Sequence, residues 1–334
     1  MKRPYRRHFS VIAALIAAAT FVSALTGCGS GSGASSSSGA GSGTVTVATL
    51  RQPHLFAPDF YARFLPAGTK VNVVTLANST EVANAVVSGS AAFGVTGITA
   101  ATQGAANGEP IRVLASAADG GSAIVASKAS GVTTVAGLRG KKIGFVAGSA
   151  QDILLRLTLK AAGLDANKDV QLVKVGFPDM ANALDRGDID AFSGAETGPS
   201  DALVKGKSVL VTHPYDTPMG KINIVLITTQ KMTDGDPKLV QTIVDAHVRA
   251  TEYMTTHKAE WAAAVVKKYG FPQAAVDLAI KNIALRWTID DAYVQQATVL
   301  GQQLKALKQV RNEPDYATFF SRSFVDKVST GAAK

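Results

Sequence analysis

The sequence predicts an α/β protein in which two lobes, each on a mainly parallel sheet, follow a non-globular leader. Three observations carry this. From residue 44, apolar and β-branched runs alternate with helical patterns, and repeated strand–helix–strand units imply sheets covered on both faces. The pattern starts again near residue 131. About 290 residues follow the leader, enough for a large core divided between two lobes.

In order, "TVTVATL" (44–50) and "KVNVVTL" (70–76) read as buried strands. "NSTEVANAVVSG" (78–89) opens with Asn78 and Glu81 at capping-box spacing, then runs apolar at helical intervals. "AAFGVTG" (91–97) is a strand, "ITAATQGAANG" (98–108) a short helix and "IRVLASAA" (111–118) a strand. The second round has a short helix, a strand at 141–146, a turn at Gly148-Ser149 and a helix through Ala162. "VQLVKVG" (170–176) is a strand, Phe177-Pro178-Asp179 a turn and cap, "MANALDRG" a helix, and "DIDAFSGAE" (188–196) a strand ending in a loop.

"SAIVAS" (122–127) and "INIVLITT" (222–229) are expected to be crossover strands, leaving the first lobe and re-entering it. Residues 44–127 plus 223–334 then form lobe one, and 128–222 lobe two. Beyond 230 the pattern is helical, with Trp261, Trp287 and Phe319 as packing residues. "ANAVVSGSAAFG" (83–94) and "ANALDRGDIDAF" (181–192) echo one another. Either the lobes are alike, or any two helix–turn–strand joints look this similar.

The leader has its own logic. Lys2, Arg3, Arg6 and Arg7 precede the apolar run 11–25, in the order of a secretory signal. That run is shorter than the ~20 residues that span a bilayer. Leu25-Thr26-Gly27-Cys28 resembles a bacterial lipobox, which implies cleavage after residue 27 and acylation of Cys28. Two or three acyl chains anchor stably where one is marginal. Residues 29–43, Gly/Ser-rich, form a disordered tether with Cys28 at its head. The protein is thus expected outside the cytoplasmic membrane, anchored by lipid alone.

Composition excludes several classes. Net charge is +9, and the four basic residues of the leader account for all but +5. The remaining charge is scattered, so nucleic acid is not an expected partner. One cysteine excludes an internal disulfide, and the five histidines lack metal-ligand spacing. No G-x-S-x-G or H-E-x-x-H occurs, and no cofactor is expected.

In open α/β sheets, ligands bind beyond the carboxyl ends of the strands. The candidate ligand-binding residues follow from that rule. They are Arg51, Gln52 and His54 after the first strand, Asn78, Ser79 and Thr80 after the second, and Gly97, Ile98 and Thr99 after the third. Gly121 follows the fourth. Lobe two offers Ser149, Ala150 and Gln151, then Asp179, then Glu196. Hydroxyl residues at helix starts suit an anionic oxygen, and they serve equally as N-caps. Arg51 is the candidate cation, or a solvated surface arginine. Glu196 is the candidate anion, suited to an ammonium or amidine group.

"LRGKKIG" (138–144), the Gly148-Ser149 helix head, "KAAGLD" (160–165), "ALDRGDIDAF" (183–192) and, in lobe one, "SGSAAFGVTG" (88–97) form a set. That set resembles periplasmic solute-binding proteins of the nitrate/sulfonate/taurine (NMT1/SsuA-like) class over most of residues 44–230. The resemblance implies a type II periplasmic-binding fold, non-enzymatic and monomeric, that closes on a small solute. The solute would pass to an ABC permease and its ATPase. A sulfonate, taurine or a nitrate-like anion is the expected solute. "FSGAETGPSDAL" (192–203) departs from the class, placing Glu196 where several relatives have an aromatic or neutral residue. A thiamine-pyrimidine precursor or another amine-bearing aromatic is therefore the alternative. An enzyme on the same fold, or a structural surface lipoprotein, stands behind both.

Overall fold

The computed structural model describes residues 43–331. The leader, Cys28 and all but the end of the tether lie outside the described residues, and with them the export and anchoring expectations. Eleven strands are described: β1 (Thr44–Leu50), β2 (Lys70–Leu76), β3 (Phe93–Gly97), β4 (Ile111–Gly120), β5 (Ser122–Ser127), β6 (Lys142–Phe145), β7 (Gln171–Lys174), β8 (Ala191–Ala195), β9 (Ser208–Thr212), β10 (Ile222–Thr229) and β11 (Ile283–Leu285). They form two sheets, ordered β11-β4-β10-β3-β1-β2 and β7-β6-β8-β5-β9.

The sheets are built alike. In the first, β2, β1 and β3 run parallel, and β10 is antiparallel to both β3 and β4. In the second, β7, β6 and β8 run parallel, and β5 is antiparallel to both β8 and β9. The antiparallel strand of each sheet is the one entered directly from the other. The sequence echo is thus genuine likeness between lobes. Helices Ser79–Val87 and Met180–Asp185 both lead through a glycine turn (Gly89, φ 80°; Gly187, φ 77°) into the third strand of their sheet.

Close packing follows from small residues at matched places. A Cβ on Gly94 of β3 would lie 2.8 Å from a Val82 methyl carbon, so the absence of a side chain lets helix Ser79–Val87 sit on the sheet. Asn78 caps that helix as its spacing predicts. It accepts from Glu81 N–H at 2.9 Å, while Glu81 accepts from Ala77 N–H at 3.0 Å.

Three expectations need correction, and one strand was not foreseen. SAIVAS, as β5, lies wholly in the second sheet, so the chain crosses at Gly120-Gly121 and not along 122–127. KVNVVTL, as β2, is an edge strand and only half-buried. "SVLVT" is an edge strand with Leu210 exposed, in a stretch to which the sequence assigned no element. Ile283–Leu285, in the expected helical tail, instead pairs with β4 as the edge strand of the first sheet. Edge pairing supplies backbone partners that local propensity does not reveal. The helical tail otherwise packs as expected, and Trp261 is buried with its Nε1 donating to the Pro53 carbonyl at 3.1 Å.

Two histidines lie buried and neutral. His247 donates from Nε2 to the Ser116 carbonyl at 2.8 Å, so its Nδ1 accepts from the Tyr61 hydroxyl at 2.7 Å. Burial lowers the His247 imidazole to about 4 and that of His54 to about 3. Both fall below the ordinary 6.5, so the unfolded chain takes up these protons first and stability is lost as pH falls below 6.5. Buried Glu196, Asp119 and Asp59, whose carboxyls burial pushes up, gain protons while folded and oppose the loss. Urea unfolding between pH 7 and 6 should show stability declining on acidification, by up to about 1.4 kcal/mol per pH unit for each histidine. A His247→Leu chain should show a shallower slope; an unchanged slope would contradict the assignment.

Candidate functional site

The strand directions bring one set of loops together. β1, β3 and β4 end at the same edge of the first sheet, where β10 and β11 begin. β6, β8 and β9 end at one edge of the second sheet, where β5 begins. Those two edges meet at Gly120-Gly121-Ser122.

Both glycines there are left-handed, with φ of 79° and 72°. The segment is stitched on all sides. Gly120 N–H donates to the Lys221 carbonyl at 2.7 Å, and Asn223 Nδ2 donates to the Gly120 carbonyl at 2.6 Å. Gly121 N–H donates to the Asn282 carbonyl at 3.0 Å, and its own carbonyl accepts from Glu196 N–H at 2.9 Å. The Ser122 carbonyl accepts from Tyr215 Oη (2.9 Å), Asn282 Nδ2 (3.1 Å) and His213 Nδ1 (3.1 Å). Gln151 Nε2 donates to Ser122 Oγ at 3.0 Å.

The Glu196 carboxyl lies beside this knot and is 2% exposed. Its Oε2 accepts from Ser200 Oγ at 2.6 Å and from Ser200 N–H at 3.3 Å. Its Oε1 accepts from Asn282 Nδ2 at 3.1 Å. Burial pushes the carboxyl up; the bonds from Ser200 and Asn282, and the nearby His213, pull it back in part. Burial likewise pushes the Tyr215 phenol up to about 12, so it stays a donor. Several buried polar atoms nearby lack a protein partner: Gln52 Oε1, His54 Nδ1, Thr99 Oγ1 and Asp119 Oδ1. His54 Nδ1 lies 3.4 Å from where a Gly121 Cβ would stand. Unpartnered buried polar atoms cost about 1–3 kcal/mol each, so a group with matching donors and acceptors would be favoured here.

The other candidate residues divide. Arg51 is exposed, donates to the Tyr269 carbonyl and lies over the Phe271 ring at 4.8 Å. Asn78 is engaged as a cap, and Thr80 is exposed. Ser79 Oγ accepts from Gly97 N–H at 3.3 Å. Ile98 and Ala150 are buried in one apolar cluster, which joins the first turn of helix Ala150–Ala161 to lobe one. Ser149 caps that helix through Asp152 N–H at 3.2 Å. Asp179 is exposed and makes no capping bond. Gly97 precedes helix Ile98–Ala106 without a side-chain cap. Sequence reasoning missed Ser122, Ser200, His213, Tyr215, Asn223 and Asn282. Only Ser200, four residues after Glu196, had a local signal.

Among the described residues, no three His, Cys, Asp or Glu side chains group to hold a metal, and no helix is long and apolar enough to cross a membrane. Two hollows, of about 560 and 390 Å³, open at the opposite sheet edges beside Arg112 and Lys207 and involve none of the candidate residues.

A sequence profile described as NMT1/THI5 like matches residues 60–261. The chain belongs to the NMT1/THI5-like family. A putative thiamine biosynthesis protein of Haemophilus influenzae is 31% identical over 150 residues, 43% of this chain and 46% of that protein. The chain thus spans about half the length of the curated relative it matches. The alkanesulfonate-binding protein SsuA of Xanthomonas axonopodis pv. citri, bound to MOPS, superposes with a TM-score of 0.73, at 17% identity, over 84% of this chain and 98% of its own. A ligand-binding component of an ABC-type import system from Staphylococcus aureus, with zinc bound, gives 0.74 at 16% identity over 85% and 98%. These likenesses establish the type II periplasmic-binding fold for this family member.

The Gly120-Gly121 crossing admits no side chain at its first position. A Cβ on Gly120 would lie 2.5 Å from the Asn282 carbonyl oxygen, in a backbone region costing an L-residue about 1–2 kcal/mol. Gly120→Ala should lower the unfolding free energy by at least about 2 kcal/mol in urea titrations. Gly108→Ala, equally left-handed at φ 90° but with open space around it, should lose less.

Proposed function

We propose that this chain is the solute-binding receptor of an ABC importer. It closes about the Gly120-Gly121 and 213–221 crossings and hands its solute to the permease and ATPase. It acts as a monomer outside the cytoplasmic membrane, with acylated Cys28 and the Gly/Ser tether keeping it close. It binds and releases its solute without turnover. The solute carries a hydrogen-bond-donating nitrogen: an amine, an amidine or an aminopyrimidine.

Glu196 carries this reading. Its bonded partners, Ser200 and Asn282, are neutral, and they fill three of about four acceptor positions. A buried carboxylate in that state favours an N–H donor or a cation, because charge-assisted bonds strengthen where water is excluded. It repels a bare anion. The neutral His54, with Nδ1 unpartnered, offers a further polar contact to a ring. The name of the Haemophilus influenzae relative supports the aminopyrimidine class.

One observation favours a second reading, a small organic anion such as a sulfonate or nitrate. Thr99 Oγ1 is buried without a partner in the first turn of Ile98–Ala106, where a helix start attracts negative charge. Taurine would satisfy both ends.

A thermal-shift screen on the full chain tests this, with aminopyrimidines, taurine, alkanesulfonates and nitrate as probes. A ligand at 100 times its Kd adds about 2.7 kcal/mol, a shift of several degrees. Nitrogen-bearing probes should shift the melting point, and Glu196→Gln should weaken the best of them at least ten-fold. A panel in which only simple sulfonates or nitrate bind overturns the nitrogen reading; conversion of a bound probe to product overturns the receptor reading.

A further inference from the structure

We propose that Asn282 is a positioning residue that fixes Glu196 in its ligand-facing orientation only when the lobes are closed. The proposal rests on the reading of Glu196 as the carboxylate that meets the solute. Asn282 comes from the C-terminal segment of lobe one, immediately before β11, and β11 pairs Ile283 with Gly120. That pairing sets its height against the crossing.

From there every polar atom of its side chain reaches lobe two or the crossing. Nδ2 donates to Glu196 Oε1 and to the Ser122 carbonyl, both at 3.1 Å. Oδ1 faces the Tyr215 hydroxyl at 3.1 Å. The two acceptors that face Nδ2 set the orientation of the amide. The two oxygens of Glu196 are therefore held differently. Oε2 is bound by Ser200, within lobe two, whatever the lobes do. Oε1 is bound by lobe one and loses that partner on opening.

The residue type matters as much as the place. A lysine at 282 would neutralise Glu196 and leave no charge for a solute. An aspartate would repel it. An amide orients the carboxylate and leaves its charge uncancelled. The titratable groups around this contact are Glu196 from β8, His213 and Tyr215 after β9, and, along β4 and β11, Asp119 with Arg286 at 3.3 Å.

Lobe separation reads this directly, without solute. The full chain carries Cys28→Ser, with spin labels at Lys160→Cys in lobe two and Lys305→Cys in lobe one, both exposed. Electron–electron resonance distances are then compared among variants. Asn282→Asp should reduce the closed population at least five-fold at pH 8. Acidification to pH 5 should restore it, as the facing carboxyls come to share a proton. Adding Glu196→Gln to Asn282→Asp should restore part of it at pH 8, because the amide N–H introduced by Glu196→Gln then meets the carboxylate introduced by Asn282→Asp in place of a like charge, while the bond to the Ser122 carbonyl stays lost. A wild-type distance in Asn282→Asp at pH 8, or no gain in closed population on adding Glu196→Gln, overturns the proposal. Should Asn282→Asp lose its thermal transition, Asn282→Ala is used instead. It must open the lobes at pH 8 and pH 5 alike, and unchanged distances overturn the proposal. No solute enters these measurements, so a failed ligand panel and a failed Asn282 test are separately visible.

Discussion

The Ser122 carbonyl lies where the two sheets meet end to end, and Tyr215, Asn282 and His213 all converge on it. A backbone oxygen at such a junction has no ladder partner on one side, so it must be satisfied by side chains. Those side chains come from two separate passages of the chain: the return crossing and the segment before β11. Tied to one carbonyl, the return crossing and the segment before β11 are held against the first crossing. The left-handed Gly120 and Gly121 are the backbone counterpart of the same constraint, because the chain must turn sharply between sheets with other backbone close on both sides.

Around that junction the lobes repeat one plan. Each has three parallel strands and one antiparallel strand, followed by a strand parallel to the first three. The plan is self-consistent: an antiparallel strand entered directly from the other lobe starts at the shared edge, and so delivers the crossings there. The apolar cluster that takes Ala150, Ile153 and Leu154 from lobe two into lobe one adds non-directional cohesion beside the polar knot. The knot supplies direction, and the cluster supplies contact area.

Local features were legible because their partners are near in sequence. The Asn78–Glu81 box and the Ser149 cap each close over three residues. Glu196 was singled out by the rule that ligands in open α/β sheets bind beyond the strand ends, and the structure buries it just past the end of β8. Arg51 obeyed the same rule, but its long side chain turned aside to the Tyr269 carbonyl and the Phe271 ring, 218 residues on in the first case. Burial patterns placed most strands. They failed for β9 and β11, short edge strands whose identity rests on the neighbour that pairs with them.

The sequence by itself determined the α/β alternation, the division into two lobes, the Asn78 and Ser149 caps and Glu196 as the charged candidate. Each is written in periodicity or in short-range spacing. Only the tertiary structure decided that β5 belongs to the second sheet, that the crossing is two glycines, and that Asn282 meets Glu196 across 86 residues of chain. Contacts at that separation leave no periodic trace, because they are fixed by how finished sheets dock and not by the chemistry of neighbouring residues.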